Sequence, residues 1–215
     1  MGDDWFPGVT LLGRFDTAPG WDGTGCWLLH HAGEAAVLEL PPRGDARPPA
    51  DVAAEAAAAR GLRVRYLLCT HAHADHFSRR TLRAMRARFP AAEPVLLAGF
   101  RAGGPGVREF ADDCWLAVGG EPLALVPAPK HSRTDTLVVW RGTCCTGDWE
   151  LGTLAGVHDG NRQRVSAAVK RAAVGKMAGW CDRHNYRIHG TYSAHANDRR
   201  DGVDFRALMR QTLGG

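Results

Sequence analysis

No apolar run in the 215-residue sequence approaches the roughly 20 residues that a membrane-spanning helix needs, and the longest uncharged pieces, such as 94–100, are strand-sized. A membrane protein is not expected. The first residues, Met1-Gly2-Asp3-Asp4-Trp5, lack the basic-then-apolar order of an export signal, so the reading is cytoplasmic. No C-x-x-C pair or small-framework spacing occurs among Cys26, Cys69, Cys114, Cys144, Cys145 and Cys181, which read as buried, reduced thiols. Lysine is scarce: it supplies three of the 27 basic residues, and 23 acidic residues leave a formal charge of only +4. Arg79, Arg80, Arg83, Arg86 and Arg88 fall at the spacing of a solvated helix face, and no nucleic-acid partner is expected. Repeats and biased tracts are missing, with 26 Gly and 12 Pro scattered in short turn clusters, which excludes collagen-like and disordered classes. Nucleophile elbows of the G-x-S-x-G kind and a Ser-His-Asp order are absent. The one glycine-rich stretch, Arg101-Ala102-Gly103-Gly104-Pro105-Gly106, is interrupted by Pro105 and reads as a loop.

What is present is an ordinary globular composition, 45% hydrophobic and 23% charged, of a length that buries one sizeable core. One domain over 1–215 is expected. Strands are predicted over 9–14, 26–30 and 35–40, the last two joined at Ala32-Gly33-Glu34. Pro48-Pro49 and Asp51 open an Ala-rich helix that Gly61 closes, and Val64–Cys69 follows as a strand running into Thr70-His71. Ser78 is placed to cap a helix reaching about Arg88, before a strand at 94–98. One or two strands in 114–127, a hairpin of 136–140 with 143–146, a helix over 162–183, a strand at 186–189 and a helix over 203–213 complete the chain. Hairpins and helices interleave, so a layered α/β or αββα sandwich fits better than a wound parallel sheet.

The densest chemistry is Thr70-His71-Ala72-His73-Ala74-Asp75-His76, directly after an apolar strand. With 10 His in the chain, an H-x-H-x-D-H string arises by chance at only about 0.2%, so it calls for a physical explanation. Imidazole and carboxylate are the ligands that hold zinc or iron, and the period-two spacing points His71 and His73 the same way. Asp75 and His76 then fall on the turn into the next helix, where they can face a second ion. Three more candidates follow strands: His131 in a Pro-rich turn, Asp148 after Thr146-Gly147, and His189 before Gly190. Singly, each has the look of a capping or hydrogen-bonded surface residue.

Taken in order, H-x-H-x-D-H, a single His, an Asp and a final His, the series resembles the metallo-β-lactamase superfamily. That resemblance implies a four-layer αββα sandwich and two metal ions, zinc first, with iron or manganese as alternatives. His71, His73 and His131 would hold one ion, Asp75, His76 and His189 the other, and Asp148 would bridge them in the manner of the glyoxalase II-like branch. Asp75 would also orient a metal-activated hydroxide for hydrolysis of a small ester, thioester, lactone or related substrate. An iron-dependent oxidative enzyme and a lyase or cyclase on the same scaffold are the alternatives. The 40 residues between Asp148 and His189 and the 26 after it leave no space for the inserted domain of the nuclease members or the helical part of the glutathione thioesterases, which favours a small organic substrate. Two positions depart from the pattern. Val37-Leu38-Glu39-Leu40 puts a Glu where the family places a supporting Asp, and His195 in Ser193-Ala194-His195 competes with His189 as last ligand. His189 is preferred because a strand is predicted to end on it; His195 would then line the pocket. His158 is a more distant contender, and the opening loop around Trp21 is a candidate wall of the pocket.

Overall fold

The first 110 residues form one sheet whose strands lie side by side in chain order: β1 (Asp3–Phe6), β2 (Val9–Phe15), β3 (Thr24–His31), β4 (Glu34–Leu38), β5 (Arg63–Leu68), β6 (Glu93–Leu97) and β7 (Arg108–Phe110). Hairpins join β1 to β4 antiparallel, after which the pairing turns parallel, as it must once helices carry the connections. Those helices are α1 (Pro49–Ala59) and α2 (Arg79–Arg88). Pro49 sits in the first turn of α1, and Gly61 at φ +62 follows its end, so both boundaries read from the sequence hold. A second sheet runs β13-β12-β11-β10-β9-β8, from β8 (Cys114–Val118), β9 (Glu121–Pro127), β10 (Thr136–Trp140), β11 (Thr143–Cys145), β12 (Gly190–Tyr192) and β13 (Arg199–Asp201). Between β11 and β12, which are parallel, lies α3 (Ala167–Arg183); α4 (Phe205–Gly214) ends the chain. This computed structural model describes residues 2–16, 22–43, 47–100, 105–155 and 165–214; Trp21 and His158 lie outside them.

Period-two side-chain alternation sorts the strands between three cores. On β3 and β5, Leu28 and Leu67 face Ala53 and Ala57 of α1 and Leu82 and Met85 of α2. Their neighbours Trp27, Leu29 and Leu68 face the other sheet, meeting Leu125, Val138, Trp140 and Tyr192. On the far face of the second sheet, Leu137 and Val139 pack on Val174, Met177 and Trp180 of α3 and on Phe205 and Met209 of α4. The layers are therefore helix, sheet, sheet, helix. Burying each of the larger apolar side chains contributes roughly 1.5–3 kcal/mol. No helix among the described residues is long and apolar enough to cross a membrane.

One boundary matters for everything downstream. The strand predicted at 186–189 is not a strand; β12 begins at Gly190, and Arg187 to His189 form the approach to it. Gly190 is required at that entry because a Cβ there would stand 2.6 Å from the Phe6 ring.

Candidate metal centre

Strands β9, β11 and β12 run in one direction, and the loops leaving them open on the same edge as the loop leaving β5. The two sheets are joined there, Thr136 N–H donating to the Thr70 carbonyl at 2.8 Å. Onto this edge come His71, His73, Asp75 and His76 from the β5 loop, His131 after β9, Asp148 after β11 and His195 after β12. The seven residues form two groups, His71, His73, His131 and Asp148, and Asp75, His76 and His195, with the candidate ligand atoms of each group all within 4.8 Å of one another.

Asp148 Oδ2 is the centre of the arrangement. It lies 3.6 Å from His71 Nε2, 3.4 Å from His76 Nε2, 3.5 Å from His131 Nε2 and 3.2 Å from His195 Nε2. Asp75 Oδ2 adds contacts at 3.3 Å to His76 and 3.9 Å to His195. Ring nitrogens also face each other directly, His131 Nε2 and His73 Nδ1 at 3.1 Å and His76 Nε2 and His195 Nε2 at 3.3 Å.

Hydrogen bonds on the far side of two of the rings fix which nitrogen each turns to the cluster. The Thr70 hydroxyl donates to Glu39 Oε1, so at its 3.0 Å contact with His71 it accepts from Nδ1–H. His71 Nε2 is then bare, buried and without a hydrogen-bond partner. His195 Nδ1 donates to the Gly23 carbonyl at 2.9 Å, which turns Nε2 inward, 3.2 Å from Asp148 Oδ2. Lone pairs that face one another at 3.1–3.3 Å repel unless a cation or a proton lies between them. Four nitrogens and oxygens at about 2.0–2.1 Å from a tetrahedral ion stand roughly 3.3 Å apart, which is the spacing found here. The donor set therefore fits divalent transition metals.

Charge follows burial and the two carboxylates. Burial, reinforced by His76, holds His71 well below the ordinary imidazole range, and burial with His131 also lowers His73. Burial opposes charge on His76 as well, but Asp148, Asp75 and Glu39 outweigh it and hold that ring well above the ordinary range. For His195, burial is outweighed by its bond to Asp148, and the pKa is raised. Asp148 is lowered well below the carboxylate range because the imidazoles around it overcome its burial.

Glu39 stands behind the cluster, at the end of β4 in the left-handed region (φ +72) and fully buried. Its carboxylate accepts from the Thr70 hydroxyl, from Thr70 N–H at 3.3 Å and from Cys69 Sγ at 3.0 Å, and its Oε2 lies 3.6 Å from His76 Nδ1. Glu39 thus supports the cluster from behind, through Thr70 and beside His76.

Six of the seven expected residues, His71, His73, Asp75, His76, His131 and Asp148, come together. His189 does not, and that expectation is corrected: the ring is exposed and stands behind Gly142, so that a Cβ on Gly142 would meet His189 Nε2 at 2.5 Å. The physical reason is the shifted strand. His189 precedes β12, on the edge where β11 begins, whereas His195 follows β12 on the edge of the other ligands. Thr191-Tyr192, a β-branched residue and an aromatic directly after Gly190, was the signal for the true strand. The His195 loop is fixed by Ala194 N–H to the Gly147 carbonyl (2.9 Å), Gly25 N–H to the Ala194 carbonyl (2.8 Å) and Arg14 to the Ala196 carbonyl (2.6 Å).

No protein-family model matches the chain. Among curated proteins it is similar to a hydroxyacylglutathione hydrolase of Anaeromyxobacter dehalogenans, 34% identical over 122 residues. That match spans 57% of this chain but only 44% of the relative, less than half of its length. Among solved structures, a metallo-β-lactamase from Pontibacter korlensis is similar at a TM-score of 0.69 and 15% identity, covering 100% of this chain and 97% of that one. ETHE1 from Myxococcus xanthus is similar at 0.68 and 17% identity, covering 93% and 83%. The resemblance to the metallo-β-lactamase superfamily is thus carried by the fold as well as by the ordered residues, and the chain is a metallo-β-lactamase-fold protein.

Proposed function

We propose that residues 1–215 form one cytoplasmic domain that binds two divalent metal ions, zinc foremost, and hydrolyses a small ester, thioester or lactone. The observation that carries this reading is the convergence of four imidazole Nε2 atoms on Asp148 Oδ2 at 3.2–3.6 Å, with ring nitrogens facing each other in pairs at 3.1 and 3.3 Å. His71, His73 and His131 would hold one ion, Asp75, His76 and His195 the other, with Asp148 shared. Such ions supply Lewis acidity, polarising a carbonyl oxygen and bringing the pKa of a water toward neutrality.

The chain's own groups supply the rest. Thr70 and Gly23 lock His71 and His195 in the tautomers that turn Nε2 inward. The side chain of Asp75 is 29% exposed, against 13% or less for Asp148, His71, His76 and His131. The cluster is therefore open on the Asp75 side. A substrate arriving there meets a carboxylate placed to orient the attacking water and to take its proton. The hydroxyacylglutathione hydrolase match supports a thioester or ester among possible substrates, and six free, buried thiols fit a reducing compartment.

Elemental analysis after reconstitution, followed by a panel of ester, thioester, lactone and phosphodiester substrates, tests the reading. Two ions per chain and hydrolysis lost in His71→Ala would support it. Binding of iron with consumption of dioxygen would replace it by the oxidative reading, and no metal after reconstitution would end both.

A further inference from the structure

We infer that Asp135 is a positioning residue that aims His131 and the other ligands of one metal group, and that reaches the second group only through the Asp148 the two share. The inference rests on the two-ion reading for its link to metal, but the hydrogen bonds that define it stand apart from any ion. Asp135 is buried on the turn between His131 and β10. Its carboxylate collects three successive backbone N–H groups: Lys130 at 2.8 Å, His131 at 2.6 Å and Ser132 at 3.0 Å. The Ser132 hydroxyl donates to it at 2.6 Å and the Trp149 indole N–H at 3.2 Å. Consecutive amides turned inward in this way make a concave nest for an anion, and here the chain fills that nest with its own side chain.

Three features tie the nest to the first group. The imidazole of His131 has no hydrogen bond on its outward face, Nδ1 being buried and unpartnered, whereas His71 is held by Thr70 and His195 by Gly23. Its ring is therefore aimed by its backbone, and Asp135 sets that backbone. Trp149 follows Asp148 directly, so the same carboxylate holds the β11 loop at the right distance. Thr134, whose N–H donates to Ser132 Oγ at 3.2 Å, accepts from Ala72 N–H at 3.0 Å, the amide between His71 and His73. All four residues of the first group are thus reached within a few bonds of Asp135. Asp75, His76 and His195 are reached only at one remove, through residues of the first group: His76 N–H donates to the His73 carbonyl at 3.1 Å, and His195 Nε2 lies 3.2 Å from Asp148 Oδ2.

The test compares wild type with Asp135→Asn and Asp135→Ala, each checked for its fold by circular dichroism. Zinc affinities are measured by chelator competition, and hydrogen exchange is followed at the amides of 130–132 in metal-free protein. Removing a partner that orients a metal ligand typically weakens binding 10- to 100-fold. The expected result is a loss of that size for one ion in Asp135→Ala, a smaller loss in Asp135→Asn, and in both variants a clearly smaller loss for the other ion, which shares only Asp148. Amides 130–132 should exchange faster in the same order. In a His131→Ala background, Asp135→Ala should cost several-fold less than it does in wild type, because its main target is already gone. Should Asp135→Ala fail to fold, Asp135→Asn and Trp149→Phe, which removes one donor, carry the comparison. Equal weakening of both ions, or unchanged affinities, would overturn the inference. If wild type binds no zinc, the metal reading fails alone, and unchanged protection of amides 130–132 in Asp135→Asn would then overturn the role given to Asp135.

Discussion

Replacing His195 and His189 by alanine in parallel separates the seventh ligand suggested by the sequence from the one assembled by the fold. His195 Nε2 lies 3.2 Å from Asp148 and 3.3 Å from His76. A zinc site in a small peptide is worth about 10–16 kcal/mol, so one ligand of four accounts for roughly 3 kcal/mol, or about 100-fold in affinity. His195→Ala should weaken one ion by about that factor and leave the ion held by His71, His73 and His131 within a few-fold. It also strands the Gly23 carbonyl, at a cost of about 1 kcal/mol, which lowers Tm by about 2–4 °C in a chain of this size. His189 is exposed and reaches none of the clustered atoms, so His189→Ala should stay within about 0.5 kcal/mol in stability, with both ions retained. Plasma emission counts the ions, chelator competition ranks them and calorimetry gives Tm. Metal loss in His189→Ala with retention in His195→Ala would refute the argument that the strand boundary chooses the ligand.

Three further perturbations reach other parts of the structure. Asp148→Asn removes the charge that helps hold His76 and His195 above the ordinary imidazole range, so their pKa values in metal-free protein should fall in an NMR titration, together with metal content; unchanged values would show that Asp148 is a bystander. Gly190→Ala forces a Cβ to 2.6 Å from the buried Phe6 ring, and a loss of about 1–3 kcal/mol in denaturant unfolding is expected. Glu34 is held at about 2 by its bonds from Arg63, the Gly119 amide and Arg65. A lowered carboxylate pKa stabilises the fold above the unfolded value, about 4.5, and the contribution disappears as pH falls through about 2. Glu34→Gln should therefore cost about 1 kcal/mol at pH 7 and progressively less between pH 4.5 and 2.

The layers were legible because each strand repeats its polarity on both faces. In β10, and in β3 from Thr24 to Leu29, every residue is buried, yet alternate side chains enter different cores, and an uninterrupted buried strand of that kind has to be covered on both sides. What was not legible is where the short strands begin. β12 and β13 hold three residues each and are defined by partners, β11 on one side and each other on the other, that lie far away in sequence or have equally weak signals. A three-residue strand has too few side chains for a period to show, so tertiary pairing decides its limits.

The site shows the same division between local and assembled information. H-x-H-x-D-H is one continuous string, and its spacing alone places four side chains on one strand end. His131 follows a seven-residue strand that ends on Pro127, and Asp148 follows the second strand of a tight hairpin, just after Gly147, so they too were found. His195 failed because its evidence was topological: β12 is parallel to β11, and residues after both must leave by the same edge as Asp148. The supports are harder still to foresee. Asp135 is an ordinary turn residue in sequence, and Thr70 an ordinary strand-end residue, until the fold brings them against amides and imidazoles that have no other partner. Ligand identity was thus readable from residue type and spacing, while ligand aim, meaning which nitrogen faces inward and how firmly, came only from the hydrogen bonds behind each ring.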